Sequence, residues 1–168
     1  MMRALFSLAA LLLLLQGASA QESVALAVEG WRTETRNDIV HYRCASQVCA
    51  AGSVVSYKAQ PHRTTISLVD FENHHRGLAE QNKGQGRIRN VRIVEPKQRT
   101  IEGVRVLQIG REVDWADNTT THTIEARLIG PDKSFSLVSD SPKREWTANN
   151  FEGFLRRMID IAGIKGGS

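Results

Sequence analysis

The chain has little cysteine: two residues among 168, Cys44 and Cys49. That scarcity excludes several chemistries. Haem attachment needs C-x-x-C-H, and CASQVC has neither the spacing nor the histidine. A thioredoxin-type redox motif is normally C-x-x-C at a helix start. A structural zinc needs four ligands, and none lie close in sequence. The nucleophile elbow G-x-S-x-G is missing. Gly84-Gln85-Gly86 lacks the remainder of a phosphate loop. Aromatic residues make up 6% of the chain and its net charge is only +4. Nucleic-acid binding calls for a basic stripe interleaved with aromatics, so no nucleic-acid partner is expected. After the opening segment no apolar run approaches the ~20 residues of a membrane-spanning helix. There is no internal repeat and no low-complexity linker.

What is present begins with a leader. Arg3 precedes an apolar run from Ala4 to Leu15, and Ala18-Ser19-Ala20 precedes Gln21. A charged start, an apolar middle and an A-x-A site form the pattern of a cleaved signal peptide over residues 1–20. The run is too short to span a bilayer. The expectation is an exported protein of bacterial type, periplasmic or secreted. In that oxidising setting Cys44 and Cys49 are expected to pair. The small ring limits the stabilisation to roughly 2 kcal/mol on the loop-length model. Residues 21–30 read as a lead-in, 31–163 as one domain and 164–168 as a flexible tail.

Within the domain the hydrophobic period changes twice. Trp31 to Thr35 and Ile39 to Cys44 read as strands around Arg36-Asn37-Asp38, and β-like composition continues from Cys49 through Tyr57. From Thr64 to Lys83, Leu68, Phe71, His75 and Leu78 fall at helical spacing, with Gly84 as a stop. Gly77 costs that helix about 1 kcal/mol relative to Ala and suggests a bend or a close contact. Strands follow at Ile88 to Val94, Val104 to Val113, Thr119 to Ile129 and Ser134 to Ser139, with turns at Glu102-Gly103 and Gly130-Pro131-Asp132-Lys133. Ser141-Pro142 resembles a helix start. A clearer helix runs from Ala148 to Ala162, with Phe151, Leu155, Met158 and Ile159 on one stripe and Gly163 at its end. Strands in succession without intervening helices imply an antiparallel meander. The fold class is therefore α+β, an antiparallel β-sheet with two packing helices, one mid-chain and one C-terminal.

This element order resembles the PsbP-like fold. The supporting segments are Ile66-Ser67-Leu68-Val69-Asp70-Phe71, Ile101-Glu102-Gly103-Val104 and Phe151-Glu152-Gly153-Phe154-Leu155. The resemblance covers most of residues 31–162, and it implies a non-enzymatic binding or accessory role. It transfers no functional residue. A weaker likeness is to small secreted proteins of the invasion-associated type, which also begin with a strand Trp followed by Cys; the later cysteine pair usual there is missing here.

Candidate sites are few. Asp70 and His74 share a helix face at spacing four, with Glu72 and His75 beside them. Carboxylate and imidazole suit zinc or copper. Adjacent histidines diverge by about 100°, so a solvated helix face is the plainer reading and no metal or cofactor is expected. Arg87, Arg89 and Arg92 form the densest basic run. On a regular strand Arg87 and Arg89 share a face and Arg92 takes the other. They could hold a phosphate or carboxylate, or they could guard an edge strand by charge. Trp115, in a polar turn, is either a partner anchor or a cover for one end of the sheet. Trp31 is expected in the core. His41, His62 and His122 are scattered.

The first functional expectation is an exported accessory or binding protein whose partner is an envelope protein or a small anionic ligand. The alternatives are a small hydrolase with an unsignalled site, or an enzyme inhibitor acting through the Ala45–Val48 turn. A hydrolase should bring His and acidic groups together in one pocket; a binding module should show a groove without that convergence.

Overall fold

The computed structural model describes residues 26–161 and 164. The expected leader at 1–20, and Ala162 and Gly163 at the expected end of the last helix, lie outside them. Nine elements follow in the order β1 Trp31–Arg36, β2 Ile39–Cys44, β3 Val54–Gln60, α1 Leu68–Asn82, β4 Ile88–Ile101, β5 Val104–Trp115, β6 Thr120–Ile129, β7 Ser134–Ser141 and α2 Arg144–Ile161. The strands form one seven-stranded antiparallel sheet in the order β1-β2-β3-β7-β6-β5-β4. The α+β reading, with a mid-chain and a C-terminal helix, therefore holds.

Local chemistry explains the turns. Asn37 and Asp38 both take positive φ, 51° and 60°, in the two-residue connection of β1 to β2. Glu102 and Gly103 do the same between β4 and β5. Two left-handed residues give the turn whose twist matches that of antiparallel strands. Helix α1 opens with a capping box. Asp70 N–H donates to Ser67 Oγ at 3.1 Å and Ser67 N–H donates back to Asp70 Oδ2 at 3.2 Å. No atom lies within 4 Å of where a Gly77 Cβ would sit, and α1 runs through it without interruption.

The boundaries that differ most from the sequence reading are these. Strand β3 starts at Val54, so Cys49 lies in the β2–β3 connection. Helix α1 starts at Leu68. Strand β4 does not stop at Val94 but continues to Ile101. A register shift between Val94 and Lys97 absorbs Pro96, and Glu95 there has φ 50°. Proline lacks the N–H for a regular ladder and fits an edge strand at a bulge. Gly110 opposite makes room, since a Cβ there would meet Val94 Cγ2 at 2.8 Å. Helix α2 begins at Arg144, and Ser141 remains in β7, accepting from Lys143 N–H at 3.4 Å.

The main core lies between α2 and one sheet face. Phe151, Phe154, Leu155, Met158 and Ile159 are buried against Val40, Tyr42, Val55, Tyr57, Val106, Leu128 and Leu137. Trp31 packs edge-on to Phe154, with ring centres 5.2 Å apart. Leu26 from the lead-in and Ile164 from the segment read as a tail are also buried there. Helix α1 lies against β4 and β5, whereas α2 lies against β7, β6 and β3. Alternate strand residues face opposite sides, and the two helices occupy opposite faces. Among the described residues no helix covers the α1 face over β1, β2 and β3.

Candidate functional site

The uncovered half of the sheet meets α1 along a groove of about 480 Å3. Strand register decides its floor. Arg111, Thr123 and Asp140 sit in one row across β5, β6 and β7, just beyond the groove, and the rows that follow make the floor itself. Glu125 lies in the next row on that face, with Arg127 and Ser136 in the one after. The wall is α1. Its capping box sets the helix phase so that His75 and Ala79 are buried on the sheet side, with Phe71 and Leu78 partly covered. The lip is the β3–α1 loop, held down by side chains rising from the sheet. Arg127 Nη2 donates to the Pro61 carbonyl at 2.6 Å, and Arg105 donates to the carbonyls of Ile66, at 2.8 Å, and Thr64. His62 Nδ1 lies 3.0 Å from Ser134 Oγ, and Gln60 Nε2 donates to Ser136 Oγ at 3.0 Å.

A polar cluster lies beneath the helix. His75 is 3% exposed, and its Nε2 is 3.7 Å from Glu125 Oε1. Its Nδ1 is buried without a hydrogen-bond partner. Glu125 Oε2 accepts from Arg111 Nη2 at 2.9 Å. Thr123 Oγ1 donates to Asp140 Oδ1 at 2.5 Å. Burial lowers the His75 pKa to about 4, aided by the nearby positive charges of Arg111 and His74. The ring is therefore neutral at pH 7. Burial raises Glu125, and Asp140 adds to this while Arg111 opposes it. Burial also raises Asp140 against the Thr123 hydrogen bond and Arg111. Desolvation dominates all three groups, as expected under a helix.

The negative charges lining the groove are already engaged. Glu125 is paired with Arg111, and Asp70 is tied into the cap by Ser67, which lowers its pKa. The positive charges meet carbonyl oxygen at most. Arg63 and Arg127 have no carboxylate partner among the described residues. Burial, and then the like charge of Arg63, depress Arg127. Ile66, Phe71 and Leu78 add apolar surface to the same groove.

Sequence candidates fall partly here and partly elsewhere. Asp70 and His74 both line the groove, but among the described residues no three His, Cys, Asp or Glu side chains come together to hold a metal. Glu72 pairs instead with Arg76. Arg87, Arg89 and Arg92 sit at the β4 edge with partners from β5 and its turn. Arg87 pairs with Asp117 at 2.7 Å, Arg89 donates to Asn118 Oδ1, and Arg92 pairs with Asp114 at 2.5 Å and Glu112 at 2.9 Å. A register shift between Ile88 and Asn90 breaks the regular alternation assumed for this run, and Arg87 precedes the strand. Trp115 folds back, half-buried, and its Nε1 donates to Thr121 Oγ1 at 2.8 Å. Cys44 and Cys49 are bonded, as expected, and the Ala45–Val48 turn they close is exposed, with Val48 at 66%. His122 faces Glu112 at 3.5 Å, away from His62 and His41.

Sequence reasoning missed Arg63, Arg111, Glu125, Arg127 and Asp140. Only His75, a titratable residue on an apolar helix stripe, signalled a polar counterpart in the sheet.

No family model matches the chain, and no curated protein matches it either. The disulfide suits an oxidising compartment. Among the described residues no helix is long and apolar enough to cross a membrane.

Proposed function

We propose that this chain is an exported, non-enzymatic binding protein, periplasmic or secreted, that holds a small anionic ligand with an apolar body in the groove between α1 and the sheet. One observation carries the reading: Glu125 is paired with Arg111 and Asp70 is held in the helix cap, while among the described residues Arg63 and Arg127 stand near each other without a carboxylate partner. An incoming carboxylate or phosphate relieves that repulsion and gains charged hydrogen bonds. Ile66, Phe71 and Leu78 take the apolar part. The PsbP-like resemblance, with its non-enzymatic implication, supports the same class.

The test is NMR titration of the oxidised protein with phenyl phosphate and hexanoate, each beside an uncharged counterpart. Shifts should concentrate at Phe71, His74 and Ser136. Arg63→Ala removes an exposed guanidinium that holds no structural partner. It should weaken anion binding about tenfold, the scale of one charged hydrogen bond. Failure of both anions to perturb the groove overturns the reading.

An enzymatic alternative draws on the approach of His75 to Glu125 at 3.7 Å. Against it stand the burial of the His75 ring and its lowered pKa, which suit a packed neutral imidazole better than a general base. Hydrolysis of p-nitrophenyl esters or phosphates that is lost in His75→Gln would favour the enzyme.

A further inference from the structure

The sheet has two edges, and they are built differently. Strand β4 is guarded. It has two register shifts, carries Pro96, bears Arg89 and Arg92, and lies against α1. Such bulges, prolines and charges are the usual means of preventing edge-to-edge pairing. Strand β1 has none of the backbone devices. Its six residues pair with β2 without a shift, contain no proline, and are exposed from Arg32 to Arg36. Among the described residues no strand lies on its outer side.

Its charges alternate as Arg32, Glu34, Arg36 on one face, with Thr33 and Thr35 on the face of buried Tyr42 and Val40. Two copies joined edge to edge and antiparallel are related by a twofold axis perpendicular to the sheet, which sets each residue opposite one of its own face. One such register puts Glu34 on Glu34 and Arg32 on Arg36, which is repulsive. Slipping by two residues puts Arg32 opposite Glu34 twice, Thr33 opposite Thr33 and Trp31 opposite Thr35. Slipping the other way matches Arg36 with Glu34 but keeps only Glu34 to Arg36 paired within the strand, against Trp31 to Thr35 in the first slip. Opposite charges directly across an antiparallel pair attract. Arg32 also gains a counter-charge it lacks among the described residues, where its neighbour on β2 is Arg43. We infer that β1 is an interaction edge for a second copy of this chain, pairing antiparallel with Arg32 opposite Glu34 of that copy and continuing the sheet across the twofold axis.

The test is sedimentation of the oxidised protein over a concentration series. The mass should rise from monomer towards dimer. Arg32→Glu and Glu34→Arg should each raise the dissociation constant at least about tenfold, because both symmetry-related pairs turn repulsive. The combined variant Arg32→Glu/Glu34→Arg should restore dimerisation, while Arg36→Glu should change it little. Thr33→Cys should cross-link between copies and Thr35→Cys should not. All these side chains are exposed, so thermal melts should confirm unchanged folding. Wild-type protein that stays monomeric at its highest soluble concentration overturns the inference. So does a dimer indifferent to Glu34→Arg, or one not rescued by the double exchange.

Discussion

Acidification should destabilise this fold through His75. The ring is 3% exposed, and its pKa falls from 6.5 to about 4, through burial first and then the charges of Arg111 and His74. Below pH 6.5 the unfolded chain takes up a proton at this residue, while the folded chain does so only near pH 4. The unfolded state therefore binds more protons across that window, and stability drops as pH falls through it. The full effect is about 3 kcal/mol, of which about 2 is lost by pH 5. Glu125 and Asp140 act in the opposite sense. Their folded pKa values are raised, so the stability they contribute is present in acid and is lost as pH rises through those values. Wild-type stability alone mixes the two signs, and comparison with His75→Leu separates them. Urea unfolding at pH 7 and pH 5 should show the variant gaining about 2 kcal/mol relative to wild type at the lower pH. NMR titration should place the His75 ring near pKa 4. Parallel pH profiles for variant and wild type would refute the assignment of a buried, neutral imidazole.

Two packing predictions follow from the core. Tyr42 Oη accepts from the buried Leu26 N–H at 2.6 Å, so Tyr42→Phe removes that acceptor and should cost about 1–3 kcal/mol in urea unfolding. At Gly130 an added Cβ would fall 1.9 Å from the Ile164 carbonyl oxygen; Gly130→Ala should cost about 1–3 kcal/mol by overpacking and lower the thermal midpoint.

The parts legible in the sequence were those written locally. The Asn37-Asp38 and Glu102-Gly103 turns, the stripe from Phe151 to Ile159 and the cysteine pair each declare themselves within a few residues. Strand β4 runs past Val94 through Pro96, which lacks the N–H of a regular ladder, and only the pairing partner β5 reveals the bulge that accommodates it. The groove was not legible for a different reason. Thr123, Glu125 and Arg127 alternate with Ile124, Ala126 and Leu128, the ordinary appearance of a strand with one wet face. Their meaning depends on β6 lying at mid-sheet beside α1, and strand order is a long-range property. Arg111 and Asp140 come from two further strands and converge on the same face only through register.

Sheet width explains why a groove exists there at all. Seven strands at about 4.8 Å spacing span about 29 Å, whereas one helix with its side chains covers about 10–12 Å. A single helix per face therefore cannot cover the sheet. On the α2 face the shortfall is reduced because Tyr42, Tyr57, Phe135 and Phe154 are large enough to bridge outward from the helix. On the α1 face no such aromatic layer extends over β2 and β3 among the described residues; Ile39, His41, Arg43, Val54, Ser56 and Lys58 occupy the matching positions. The boundary between covered and bare sheet is consequently a step one helix high. Half-buried charges collect at its foot, where α1 shields them from water yet the sheet residues still carry the polar pattern of a wet face. Replacing Ser56 and Lys58 by apolar residues would extend the dry layer without filling the step, so the groove should persist in such a variant and the newly exposed apolar face should drive association.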